Sequence, residues 1–272
     1  MTICIAAIAE NGSKLVAASD KMITYSSPPY HLFEHPRPKI DMLNRRCIIM
    51  TAGSALLPSE YKRIIRKKLE VGESEARLVR DIAECACKAY EELRRSEIEM
   101  RILRKYGVHW DEYIRRISGE GLSEFYYRLI SQIEDFQLDL VAIIAGIDGE
   151  GAHIFLVENP GELSCFDDIG YTAIGTGEYH AIRSFIEHSY SINFPLVKAL
   201  YVVFEAKKYA EAAPGVGKAT EIVIVDEMGI KRINNDIIRN LEDVYGEKIQ
   251  FSSQIIREKI EPLLDEIKVK LT

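Results

Sequence analysis

Residues 2–24 read TICIAAIAENGSKLVAASDKMIT, and this stretch decides the fold class. Two short apolar runs, 2–9 and 14–19, flank Glu10-Asn11-Gly12. An Asn-Gly pair between apolar runs is a strong hairpin signal, because both residues tolerate the positive φ that a tight turn needs. The chain is therefore expected to open with two antiparallel strands.

Working outward, residues 20–38 carry Ser-Ser-Pro-Pro and Pro-Arg-Pro and are expected to form an irregular excursion. Residues 39–43 and 46–51 are strand-like, and Ala52-Gly53-Ser54 ends that run. A long helical block follows over about 59–136. Ser59 can cap a helix through Lys68, Glu73-Ser74 can open a longer one past Arg94, and Gly107, Gly119 and Gly121 divide the remainder. Strands return at 138–147, 152–158 and 171–175, with Asp148-Gly149-Glu150-Gly151 as a turn. Helices are expected at about 178–190 and 194–211, strands at 220–226 and 229–233, and an amphipathic, largely helical tail over 235–271. Hairpins dominate and strand–helix alternation is absent, which suits antiparallel sheets stacked between helical layers rather than a doubly wound parallel sheet. With no internal repeat or low-complexity linker, residues 1–272 read as one domain. It carries an enlarged helical block at about 59–136 and a helical C-terminal extension at about 235–272.

The composition, 47 % hydrophobic and 28 % charged, is that of a globular chain able to bury a large core. A net charge of −7 argues against nucleic acid as a partner, since neutralising phosphates needs basic surface. No secretory signal and no run of about 18 apolar residues is visible, which points to a cytoplasmic protein without a membrane partner. The five cysteines are scattered, and Cys85 and Cys87 fall on different faces of a helix, so they make a poor metal clip. His31 and His35 lie among prolines and form no ligand pattern. Neither a phosphate-binding loop nor a dinucleotide fingerprint is present, and Gly175-Thr176-Gly177 lacks the further spacing of the latter. No cofactor and no metal is expected.

A set of fragments in order resembles the proteasome β-subunit type of N-terminal-nucleophile hydrolase, including bacterial proteasome-like peptidases. These are residues 2–24, KIDMLNRRCIIMTAGS at 39–54, AIIAGIDGEGAHIFLVENPGE at 142–162, AIGTGEYHAIRSFIE at 173–187 and VGKATEIVIVDEMGI at 216–230. The resemblance implies a four-layer αββα sandwich of two mainly antiparallel sheets. It also implies a threonine-type amidohydrolase, or threonine protease, that attacks peptide bonds through an acyl-enzyme. Matched position by position, Thr2 is the nucleophile once Met1 has been removed, Asp20 the acidic residue, Lys39 the catalytic lysine and Gly53 the oxyanion N–H donor. Thr176 stands where the family usually has Ser beside the terminal amine, and Glu221 where it usually has Asp. The chemistry is consistent with these residue types. A Thr hydroxyl needs a base, and a free terminal amine with a pKa of roughly 7.7–8.0 can serve. The family usually forms rings, so a homo-oligomer acting on peptide or protein substrate is implied, while an ATPase regulator is unspecified. Two alternatives stay open: a peptide ligase or transferase using the same acyl-enzyme, and a catalytically silent assembly or binding module.

Overall fold

A computed structural model describes residues 2–25, 31–34, 38–70, 78–119 and 121–271. The expected hairpin is present. Strand β1 (Cys4–Ala9) pairs antiparallel with β2 (Lys14–Asp20), in register Cys4↔Ser19 through Ala9↔Lys14. Glu10, Asn11 and Gly12 between them all take positive φ. That conformation is costly for Glu10, and tertiary contacts hold it. Its N–H donates to the Phe194 carbonyl at 3.0 Å, and its Oε1 accepts the N–H of Leu196 at 3.2 Å.

The strands that follow are β3 (Met22–Tyr25), β4 (His31–Glu34), β5 (Asp41–Met42) and β6 (Cys47–Gly53). After helices α1 (Leu57–Glu70), α2 (Val79–Arg101), α3 (Trp110–Ile117) and α4 (Glu124–Glu134) come β7 (Leu140–Ile147), β8 (Ala152–Glu158), β9 (Glu162–Cys165) and β10 (Tyr171–Ile174). Helices α5 (Glu178–Glu187) and α6 (Leu196–Ala210) precede β11 (Thr220–Asp226) and β12 (Gly229–Arg232). One sheet has the order β10-β1-β2-β11-β12 and the other β5-β6-β7-β8-β9, and every pairing is antiparallel.

Period-two alternation explains the layering, because successive side chains leave opposite faces of a strand. Ile48 and Met50 of β6, and Ile143 and Ala145 of β7, meet Cys4, Ala6, Leu15 and Ala17 between the sheets. Their neighbours Ile49, Ala142 and Ile144 point the other way, onto Tyr61, Ile65, Ile82 and Tyr90 of α1 and α2. On the far side of the first sheet, α6 packs against β1 and β2. The buried Ile5, Ala7, Val16 and Ala18 lie on that face, and small side chains there let the helix approach. The result is the four-layer αββα sandwich expected from the sequence, an α+β fold. The helical block closes a smaller core of its own around Ile98, Leu103, Val108, Tyr113 and Leu129.

Three local expectations differ. The excursion at 20–38 contains an antiparallel ribbon, β3–β4, with Met22 opposite Glu34. The strand expected at 39–43 shrinks to Asp41–Met42, and β9 adds an edge strand beside β8 that was not foreseen. Glu73 and Ser74 lie outside the described residues; α2 is described from Val79, whose N–H finds a tertiary partner. Asp148 Oδ2 accepts the Val79 N–H at 2.7 Å, while Oδ1 accepts the N–H of Glu150 at 2.8 Å within the predicted turn.

The chain divides into two compact units, Met1–Arg232 and Ile233–Thr272. The second is built on α7 (Asn235–Leu271), which Asn234 caps by accepting the Ile237 N–H at 2.9 Å. Among the described residues no helix is long and apolar enough to cross a membrane.

Asp148→Ala removes a helix cap and a turn lock together. It is expected to lower stability by about 1–2 kcal/mol, read as a lower urea midpoint at unchanged slope.

Candidate active site

The β1–β2 register brings the two ends of the hairpin together. Thr2 stands just before β1 and Asp20 ends β2, and the Asp20 N–H donates to the Ile3 carbonyl at 3.3 Å. Both side chains are buried, Asp20 completely. Thr2 Oγ1 donates to Asp20 Oδ1 at 2.6 Å, and the Ile3 N–H donates to the same oxygen at 3.0 Å. Lys39 enters from the segment before β5. Its Nζ lies 2.7 Å from Asp20 Oδ1 and also donates to Thr2 Oγ1. Three of the residues singled out in the sequence therefore meet at one point.

The second oxygen of Asp20 is equally occupied. Oδ2 accepts the N–H groups of Met22 and Gly217, each at 3.0 Å. Burial pushes the Asp20 carboxyl up. The Lys39 charge and hydrogen bond, the Thr2 hydroxyl and the Gly217 N–H together outweigh it and hold the group below the ordinary carboxylate range.

Glu221 lies opposite Ser19 in the β2–β11 pairing. The resemblance implies a place for it beside the terminal amine. Its Oε2 accepts the Lys39 N–H at 3.0 Å, the Ile40 N–H at 3.5 Å and the Ser19 hydroxyl at 3.4 Å. Arg232 forms an ion pair with the same carboxylate and donates to the Ile40 carbonyl at 2.9 Å. Glu221 thus fixes the backbone that carries Lys39. Thr176 is exposed, and its Oγ1 donates to the Thr2 carbonyl at 3.4 Å.

Two glycines shape the approach to Thr2. Gly175 has φ +109°, and a Cβ there would strike the Thr2 carbonyl and lie 3.2 Å from Thr2 Cγ2. Gly53 has φ +107° and a Cβ would collide with the Asp139 carbonyl. Thr2, Gly53, Thr176 and Glu178 border one open cleft of about 370 Å³. Met1 lies outside the described residues, as do residues 26–30 and 35–37, including His35. Among the described residues no group of three or more His, Cys, Asp or Glu side chains is placed to hold a metal.

Sequence reasoning missed Gly217, Ser19 and Arg232. Gly217 acts through a backbone N–H, which no residue type announces, although its position in Pro214-Gly215-Val216-Gly217 between a helix and a strand is visible. A Cβ on Gly217 would lie 2.8 Å from Met22 Cβ and 3.3 Å from Asp20 Oδ2, so only glycine gives this donor its approach.

The chain is similar to proteasome subunit beta 1 of Korarchaeum cryptofilum (strain OPF8), 32 % identical over 130 residues. That match covers 47 % of this chain and 60 % of the relative, so the chain spans less than two thirds of the relative's length. No protein-family model matches.

The buried pair has a pH consequence. A carboxyl whose folded pKa is depressed contributes stability that is full above the unfolded value and lost as pH falls through the folded one. Lys39→Met leaves Asp20 buried without its cation, a loss of about 3–5 kcal/mol for a buried pair. Acid unfolding of the variant, followed by circular dichroism, is expected at higher pH than in the wild type.

Proposed function

We propose that the chain is a threonine-type N-terminal-nucleophile amidohydrolase, a proteasome-like peptidase that forms an acyl-enzyme on Thr2 after Met1 has been removed. The observation that carries this reading is Lys39 Nζ set between Thr2 Oγ1 and Asp20 Oδ1. The similarity to a proteasome β subunit supports it. The substrates in this reading are peptides or proteins, the assembly is a homo-oligomer that closes into a ring, and the compartment is the cytoplasm. The sandwich and the helical extension at 235–272 form one functional domain.

The Thr2 hydroxyl loses its proton to the free terminal amine as Oγ1 attacks the peptide carbonyl. The Lys39 ammonium, already at hydrogen-bond range, stabilises the negative charge that develops on Oγ1. Asp20, ionised and saturated with donors, keeps Lys39 aimed at Thr2. A Gly53 N–H serves the tetrahedral oxyanion, and Thr176 holds the Thr2 carbonyl and so steadies the amine-bearing residue. Collapse breaks the C–N bond, the amine returns its proton to the leaving nitrogen, and water then cleaves the ester. Glu221 takes the role of positioning Lys39.

An epoxyketone reacts with the hydroxyl and the free amine of Thr2 together, so intact mass of Met-free protein reads both groups at once. A single adduct is expected, retained in Thr2→Ser and lost in Thr2→Ala, with peptide turnover in Thr2→Ala reduced by at least about 10³-fold. Met-free protein without an adduct, and turnover indifferent to Thr2→Ala, would overturn the reading. Products captured by an added amine in place of water would mark a transferase.

A further inference from the structure

Helix α6 carries a lysine that the chemistry above does not use. Lys207 is completely buried, which is rare for this residue type, since a buried ammonium demands strong partners. Its Nζ donates to Glu211 Oε1 at 2.6 Å and to the carbonyl oxygen of Lys218. Lys208 reaches the same Glu211 oxygen at 2.9 Å from a more exposed position. Lys218 directly follows Gly217, whose N–H donates to Asp20 Oδ2. The Gly217 backbone has no slack, being packed against Met22 and Asp20. A buried cation on α6 is thus tied to the residue next to a donor on the central carboxylate.

We propose that Lys207 is a positioning residue for the Thr2 centre. By anchoring the Lys218 carbonyl it holds the Gly217 N–H on Asp20 Oδ2, which leaves Oδ1 for Thr2 and Lys39. The kinetic consequence rests on the threonine-nucleophile reading; the effect on Asp20 does not.

Electrostatics agrees with the geometry. Burial presses Lys207 below its ordinary value; the Glu211 hydrogen bond and charge oppose this, Lys208 adds to the lowering, and Asp20 raises it. Asp20 therefore lies in the field of two lysines, Lys39 and Lys207. The remaining titratable group facing it from β1 is Cys4, whose thiol burial pushes up to about 12 and which stays uncharged through the acid range. Glu221, paired with Arg232, faces the Lys39 backbone.

The test uses Lys207→Met, which keeps the length of the side chain without its charge or donors, and Lys207→Gln, whose amide can still donate to a carbonyl. With a fluorogenic peptide amide, Lys207→Met is expected to lower kcat roughly 10- to 100-fold at nearly unchanged KM, and to move the Asp20 titration to higher pH. Lys207→Gln is expected to recover part of kcat. Carbon-13 NMR titration of the Asp20 carboxyl reads the same upward move without any turnover.

A moved Asp20 midpoint in a chain whose wild type has no turnover supports the role of Lys207 and sinks the nucleophile reading. Folded Lys207→Met with wild-type kcat and an unmoved midpoint overturns the role of Lys207, whatever becomes of Thr2. Loss of thermal stability alone, with kcat and the midpoint in place, overturns it equally. If Lys207→Met does not fold, Lys207→Gln carries the titration and is read the same way.

Discussion

A single buried carboxylate organises the candidate site. Asp20 accepts hydrogen bonds from Thr2, Ile3 and Lys39 on one oxygen and from Met22 and Gly217 on the other. An ionised carboxylate taken out of water is costly by several kcal/mol unless its lone pairs are met. Here they are met by donors from the start of β1, the start of β3, the segment before β5 and the loop between α6 and β11. Those segments lie far apart in sequence, and one carboxylate orientation satisfies them all. The position of Thr2 is therefore set by the convergence of four parts of the fold rather than by the hairpin alone.

The sandwich makes that convergence rigid. Both faces of β6 and β7 are apolar, one against the other sheet and one against α1 and α2, so a shift of either strand by one residue would expose or clash a full row of side chains. The same holds for β1 and β2 between the sheet core and α6. The site sits at the edge of this packed region, where Gly53 and Gly175 turn the chain with φ values that other residues rarely adopt. The missing side chains leave room for the Asp139 carbonyl at Gly53 and for the Thr2 carbonyl at Gly175.

Much of this was legible in the sequence, for identifiable reasons. The β1–β2 hairpin followed from Asn11-Gly12, and the paired strands β7 and β8 from apolar runs around Asp148-Gly149. Thr2, Asp20 and Lys39 were matched to one another through a family resemblance, and the fold brings all three into contact. Glu221 and Thr176 were singled out through the same resemblance, but their hydrogen bonds depend on side-chain direction. The β2–β11 register sets Glu221 beside Ser19 and aims it at the Lys39 backbone. The β3–β4 ribbon was hidden because the prolines around it read as loop. Gly217 was hidden because backbone donors have no signature, and the cap of α2 because its partner, Asp148, is distant in sequence.

The charges around Asp20 form a linked set rather than a list of pairs. Lys39 touches Asp20 through its side chain and Glu221 through its backbone, and Arg232 answers Glu221. Behind Asp20, Lys207 is answered by Glu211. Three carboxylates and three principal cations thus alternate through a largely buried region, and removing any one leaves a neighbour uncompensated at low dielectric. Energies of single substitutions in such a set are not additive, because each deletion measures a rearranged remainder. A group that only orients Asp20 and a group that contacts the substrate then lower turnover alike. What separates them is the quantity each controls. A group behind Asp20 changes its proton affinity without touching the reacting atoms, whereas Lys39 and Thr2 touch both at once.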